Sequence, residues 1–258
     1  MNEPWAKKSL GQHWLHDTAA LAAMAEDVRP GDTVLEVGPG TGTLTEVLLA
    51  KGARVIAVEK DESLLKALDQ KFGARDFRLY NQSIMEFDLT ALPPDYKVAA
   101  NIPYYLTSNL IRTLSESPNQ PLSAVLLVQK EVARRVVAEP GDMSLLSVSA
   151  QFYWEVSLGL EVPARLFTPP PKVDSQILQL RRRPVPLYSD IDTKKFFQTV
   201  KAGFGERRKT LSNSLTGGLR LDKNQANELL GRAGIDPGLR AQALSLDDWY
   251  RLYMVIHT

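Results

Sequence analysis

The 258-residue chain contains no cysteine. Disulfides, thiolate metal sites and cysteine nucleophiles are thereby excluded. It has three histidines, His13, His16 and His257, too few and too scattered to suggest a metal centre, so no metal is expected. No apolar run is long enough to span a bilayer. The first residues, with Lys7 and Lys8 ahead of Gln12, hold no apolar core of a secretion signal. The expectation is a cytoplasmic protein with no membrane partner. No internal repeat or low-complexity stretch stands out.

What is present describes an ordinary globular chain, with 44% hydrophobic and 24% charged residues. The length allows one large domain with a smaller appendage. The net charge of +1 conceals an asymmetry: residues 181–258 carry 14 Lys and Arg against 8 Asp and Glu, while residues 1–180 carry 17 against 22. A basic final third on an acidic body suits either a module for a polyanion or a solvated basic surface, and charge alone does not separate the two.

Apolar runs at 33–37, 54–59, 77–80, 97–100 and 122–128 read as strands. Between them lie helical patterns. Asp17 can cap a helix reaching Val28, Leu44 to Leu49 repeat at helical spacing, Asp61 caps a third helix, and 107–114 reads as a fourth. This alternation predicts an α/β fold with a doubly wound parallel sheet. Two more strand candidates, 151–160 and 175–180, are joined through Phe167-Thr168-Pro169-Pro170-Pro171. Pro184 and Pro186 mark a linker, and beyond it only helical patterns occur. The expected division is a catalytic domain over 1–186 and a small all-helical domain over 187–258.

Two stretches carry chemistry. In Glu36-Val37-Gly38-Pro39-Gly40-Thr41-Gly42 the glycines alternate, which lets a backbone adopt positive φ and approach a ligand closely. The dinucleotide fingerprint needs a glycine where Thr43 stands, so a pyrophosphate cradle fits poorly. Glu59 ends the next strand, 19 residues after Gly40, where a carboxylate can accept hydrogen bonds from both hydroxyls of a ribose. It can equally be a helix N-terminal charge ahead of Asp61; together with the glycine turn, the ligand reading is favoured. The second stretch, Asn101-Ile102-Pro103-Tyr104, follows a buried strand. The Asn101 side-chain oxygen and the Pro103 carbonyl are two acceptors suited to an exocyclic amine, and Tyr104 offers a flat face for its ring. Taken alone, such a tetrapeptide is better explained by a strand-ending turn with a packed tyrosine.

With both stretches in view, the chain resembles the ribosomal RNA adenine N6,N6-dimethyltransferase family, and within it the bacterial small-subunit (16S) enzymes linked to kasugamycin sensitivity. The likeness extends nearly end to end. It includes Lys8-Ser9-Leu10-Gly11-Gln12-His13-Trp14-Leu15, Gln129-Lys130-Glu131-Val132-Ala133, Phe167-Thr168-Pro169-Pro170-Pro171-Lys172, Phe204-Gly205-Glu206-Arg207-Arg208-Lys209-Thr210-Leu211 and Arg240-Ala241-Gln242-Ala243-Leu244-Ser245-Leu246.

The resemblance implies a Rossmann-like, S-adenosylmethionine-dependent methyltransferase that acts as a monomer on 16S rRNA in the small ribosomal subunit or its precursor. It implies cofactor contacts at Gln12, His13, Leu15, Glu36, Gly38, Gly40, Gly42, Glu59, Lys60, Ser83, Ile84 and Asn101. Asn101 and Pro103 would bind the adenine amine, and Tyr104 and Phe167 would sandwich the base. Arg181, Arg207, Arg208 and Lys209 are the expected RNA contacts. The chain departs from the family pattern at Ser83, where an acidic residue is usual, at Tyr105, often polar, at Met143-Ser144, usually Tyr-Gly, and at His13 and Trp14, commonly Asn and Phe. A large-subunit rRNA adenine methyltransferase of the macrolide-resistance type shares the glycine turn and the Asn-x-Pro-Tyr motif. A non-catalytic ribosome-assembly factor is the rival from another class, and a nicotinamide dehydrogenase is a poor third.

Overall fold

The apolar runs of the first two-thirds assemble into one sheet, whose strand order decides where loops meet. The computed structural model describes residues 6–206 and 208–257. The strands are β1 (Trp14–Leu15), β2 (Thr33–Val37), β3 (Arg54–Glu59), β4 (Phe77–Asn81), β5 (Lys97–Asn101), β6 (Ser123–Gln129), β7 (Trp154–Val162), β8 (Phe167–Thr168) and β9 (Ser175–Arg182). The helices are α1 (Thr18–Met24), α2 (Thr43–Ala50), α3 (Glu62–Phe72), α4 (Thr107–Glu116), α5 (Lys130–Val136), α6 (Leu145–Tyr153), α7 (Thr193–Phe204), α8 (Leu211–Leu219), α9 (Lys223–Arg232) and α10 (Leu246–His257).

Seven strands form the main sheet in the order β4-β3-β2-β5-β6-β9-β7. β2 pairs in parallel with β3 on one side and β5 on the other. The strand order therefore reverses at β2/β5, and successive connections leave on opposite faces. The expected all-parallel sheet is corrected at one strand. β9 runs antiparallel to both of its neighbours, β6 and β7. The twelve residues between β7 and β9 hold one short helical turn and β8, without the α-helix that a parallel return usually uses.

Local chemistry explains the helix starts. Asp17 accepts the Ala20 N–H at 2.8 Å and opens α1; Asp61 accepts the Ser63 N–H at 3.1 Å and opens α3. Helix α1 stops at Met24, short of the expected Val28, although Ala25 and Val28 stay buried. One core layer gathers Leu21, Met24, Leu48, Val55, Leu64 and Phe72 under the sheet. No helix among the described residues is long and apolar enough to cross a membrane.

The chain divides into two compact units. One takes the chain through Ala133 and again Trp154–Arg182; the other takes Arg134–Tyr153 and everything from Arg183 onward. The second unit is helical, built around Trp249, Phe196, Leu215 and Leu230. It differs from the expected 187–258 segment by recruiting α6. Residues 151–153 end this helix instead of starting a strand, because Phe152 packs against Phe196 at 5.1 Å between ring centroids. In α7, Gly203 lies where any Cβ would fall 2.3 Å from the Trp249 ring, so the two helices approach closely.

Candidate functional site

The carboxyl ends of β2 and β5 lie side by side at the strand-order reversal, the position where open α/β sheets bind ligands. A cavity of about 1030 Å³, including its open mouth, occupies this place. Its wall takes Gln12, His13 and Leu15 from the N-terminal segment and Glu36, Gly38 and Gly40 from the end of β2 and its loop. Glu59 and Lys60 come from the end of β3, Ser83 and Ile84 follow β4, and Asn101, Pro103 and Tyr104 follow β5. Residues far apart in sequence are thus brought together. Gly42 and Phe167 are not on this wall.

The three glycines all have positive φ, +68° at Gly38, +59° at Gly40 and +81° at Gly42. Each does a different job. The Gly38 N–H donates to the Val58 carbonyl at 2.9 Å and ties the loop to β3. A Cβ on Gly40 would lie 2.6 Å from the Trp14 indole. A Cβ on Gly42 would lie 2.4 Å from Phe72, so this glycine lets α2 pack against α3. The Thr41 hydroxyl is buried with no hydrogen-bond partner among the described residues, although the residue lines the cavity.

Three carboxylates stand behind this loop. Glu36 is 1% exposed and accepts the Thr45 hydroxyl at 2.7 Å. Burial, reinforced by the charge of Glu59, outweighs that bond and pushes its carboxyl up to about 8. Glu59 is also raised by burial, against backbone N–H bonds from Asp61 and Gly40 that favour its charge. Those bonds, at 2.8 Å and 3.2 Å, hold one carboxylate oxygen each. Asp61 is buried too, yet Lys7, Ser63 and Gln12 together overcome the desolvation and hold its carboxyl near 2. The Lys7 ammonium lies 2.6 Å from one Asp61 oxygen and the Gln12 amide donates to the other at 2.8 Å. Gln12 also accepts the Lys7 N–H at 2.7 Å. Its amide thus secures the segment at residues 7–12 to the start of α3.

At the other end of the cavity, the Asn101 Nδ2 donates to the His13 carbonyl at 3.1 Å. This fixes the amide, and the Asn101 Oδ1 has no partner among the described residues. The Pro103 carbonyl accepts the Leu106 N–H at 2.9 Å, closing a short helical turn, and retains its second lone pair. The Tyr104 hydroxyl bonds the Ser175 hydroxyl at 2.8 Å. Its ring lies parallel to the His13 imidazole, with centroids 6.1 Å apart and planes inclined by 18°. The His13 Nδ1 in turn lies 2.7 Å from the Pro169 carbonyl.

Phe167 is elsewhere. It is 3% exposed in β8, which pairs antiparallel with β1 so that Phe167 opposes Leu15. In this conformation its ring packs in the core and presents no face to the cavity. The Ser83 hydroxyl accepts the Met85 N–H at 3.3 Å. Arg181 is exposed and pairs loosely with Asp27 at 3.5 Å. Lys209 pairs with Glu206 at 2.7 Å, and Arg208 is exposed just before α8. Arg207 lies outside the described residues. Among the described residues no three His, Asp or Glu side chains gather to hold a metal ion.

Sequence reasoning misses several contributors. Asp61 is legible only as a helix cap, since its partners Lys7 and Gln12 are 54 and 49 residues away. Trp14 gives no signal of its role as a cover on Gly40, and Ser175 none as the anchor of Tyr104. Tyr105, which lines the cavity beside Tyr104, is marked only by its unusual identity.

Comparison with known proteins places these features in context. The pattern of the family described as ribosomal RNA adenine dimethylase matches residues 5–258. The chain is 44% identical over 253 residues to a protein of Dehalococcoides mccartyi (strain CBDB1) named ribosomal RNA small subunit methyltransferase A, covering 96% of this chain and 87% of that protein. A protein of the same name from Thermosynechococcus vestitus is 41% identical, with 97% of both chains covered. Among solved structures, the 23S rRNA methyltransferase ErmE is 30% identical with a TM-score of 0.74, covering 95% of this chain and all of that one. A dimethyladenosine transferase from Plasmodium falciparum shares the fold at 24% identity and a TM-score of 0.78, with 93% and 96% covered.

Proposed function

The chain belongs to the ribosomal RNA adenine dimethylase family and is an rRNA methyltransferase, and from that premise we propose that it uses S-adenosylmethionine to dimethylate the N6 amines of two adjacent adenosines near the 3′ end of small-subunit (16S) rRNA. The observation that carries the reading is Asn101. Its amide nitrogen is occupied by a main-chain carbonyl while its oxygen has no partner among the described residues, on the wall of the cavity that the glycine loop also lines.

The cavity suits a cationic nucleoside donor on three counts. The loop's backbone is open at Gly38, where a Cβ would meet nothing within 4 Å. The Thr41 hydroxyl is buried and has no partner among the described residues. Glu36 and Glu59 are buried carboxylates whose charged forms a cation would favour. Gln12, His13, Leu15 and the 38–42 loop would hold the methionine part, Glu59 and Lys60 the ribose, and Ser83 and Ile84 the adenine. Gly42 would act indirectly, through the packing of α2. When bound, the donor supplies an electrophilic methyl group on a sulfonium.

The substrate amine is nearly non-basic, because its lone pair is shared with the ring. Asn101 Oδ1 and the Pro103 carbonyl accept its two N–H bonds, which favours a pyramidal nitrogen with its lone pair exposed. The gain comes from positioning and from acceptors that strengthen as the nitrogen becomes positive, so no strong base is needed. The base must first leave its stack, which costs a few kcal/mol. Stacking on Tyr104 offsets part of this, at roughly 1–3 kcal/mol per base. Phe167 would contribute only if β8 rearranged. Arg181, Arg207, Arg208 and Lys209 are the cations that would meet RNA phosphates.

The test offers labelled S-adenosylmethionine to small and to large ribosomal subunits lacking the modification, then maps products by mass spectrometry. The expected result is two neighbouring N6,N6-dimethyladenosines in the small-subunit RNA. Label confined to large-subunit RNA would favour the activity named for the ErmE structure. Binding without incorporation would favour an assembly factor.

A further inference from the structure

Tyr105 follows the substrate motif and is 64% exposed, although it lines the same cavity as Asn101 and Tyr104. Packing does not account for it. No hydrogen bond, ion pair or ring contact engages its side chain among the described residues. One edge of the ring faces the bare backbone of Gly11. A Cβ placed on Gly11, whose φ is +64°, would lie 3.5 Å from the Tyr105 ring and 3.2 Å from Pro103. Gly11, lacking a side chain, leaves the space beside the ring unfilled, and the exposed ring stands at the cavity it lines.

We propose that Tyr105 is a stacking platform for the nucleobase adjacent to the target adenine in the RNA strand. The inference rests on the reading of an RNA adenine as substrate. Neighbouring residues are only about 3.8 Å apart along the backbone, and Tyr104 and Tyr105 divide inside from outside. Tyr104 is held inward by Ser175 and takes the base that has left its stack. The next base is covalently tied to the first and must lie near the mouth, where the exposed ring of Tyr105 meets it. Such stacking tolerates any base, so it would set the strand's path into the site. It also offsets the stacking that the neighbouring base loses when its partner departs.

The experiment compares the wild type with Tyr105→Ala and Tyr105→Phe in methylation of small subunits, in direct binding of those particles without turnover, and in calorimetric binding of S-adenosylmethionine. Tyr105→Ala is expected to raise KM for the particle and weaken particle binding by about tenfold, the loss of one stacked base. Its cofactor affinity and melting temperature stay at the wild-type values, and Tyr105→Phe restores KM. Wild-type particle binding by Tyr105→Ala would overturn the proposal. So would failure of Tyr105→Phe to rescue, because the hydroxyl would then be the active part, and so would a matching loss of cofactor affinity. If the wild type binds particles but transfers no methyl group, the enzymatic reading fails on its own, and the binding arm still decides the role of Tyr105.

Discussion

Asn101 is a structural tie and, in the proposed function, also the acceptor for the substrate amine. Its donor end holds the His13 carbonyl at 3.1 Å, so the acceptor end cannot rotate away from the cavity without losing that bond. Asn101→Ala removes the acceptor, and kcat is expected to fall about 100-fold, in line with the loss of one preorganised electrostatic contact. Near-full turnover in a single-turnover methylation assay would refute the assigned role. Asn101→Asp keeps an acceptor but gives up the Nδ2 donor and sets a charge against the His13 carbonyl, so it should fail as well. Ser83, proposed to meet the cofactor's adenine, makes the opposite case, a neutral hydroxyl at the position where an acidic residue is usual in the family. A neutral hydroxyl can bond an amino group, but a carboxylate does so about twice as strongly. Ser83→Asp is therefore expected to tighten S-adenosylmethionine binding severalfold by calorimetry, and equal Kd values for the two proteins would contradict it.

The glycine loop, as an element, separates conformational from steric demands. Gly38 has φ +68° and open space where a Cβ would stand, whereas Gly40 has φ +59° and a Trp14 ring only 2.6 Å from where its Cβ would be. Gly38→Ala should cost only the left-handed penalty, about 1–2 kcal/mol of folding stability. Gly40→Ala carries that penalty and also displaces Trp14, so urea denaturation should find it clearly the less stable of the two. Equal midpoints would show that Trp14 does not press on the loop. Such local demands explain what can be read from the sequence. The strands at 33–37 and 54–59, the glycine turn, Glu59 and Asn101 all carry their signal within a few residues. The direction of β9 does not, because alternation reports burial and says nothing of polarity along the sheet. Helix α6 reads partly as strand, since its apolar side faces a core built from residues after 190. Phe167 looks like a free aromatic in a proline-rich loop, and only its pairing with Leu15 shows that it is buried.

Across the whole molecule, the buried carboxylates couple folding, cofactor and pH. Asp61 is held near 2, below its ordinary 3.8. Its stabilising contribution is therefore present above about pH 4 and is lost as pH falls toward 2. Glu36 is raised from 4.5 to about 8. Its folded state binds a proton more tightly than the unfolded chain, so this contribution is complete below about pH 4.5 and is lost as pH rises through 8. Glu59 is raised as well and adds to the same decline. Without ligand, the melting temperature is thus expected to fall between pH 5 and 8, and Glu36→Gln, which is neutral at every pH, should flatten that fall. A cationic ligand beside these groups favours their charged forms and expels protons. S-adenosylmethionine should then bind more tightly as pH rises from 6 to 8, with proton release that calorimetry in buffers of different ionisation enthalpy can count. Glu36→Gln should reduce both the pH dependence and the proton count. An affinity that is independent of pH in the wild type would mean that the cofactor's charge is met elsewhere in the cavity.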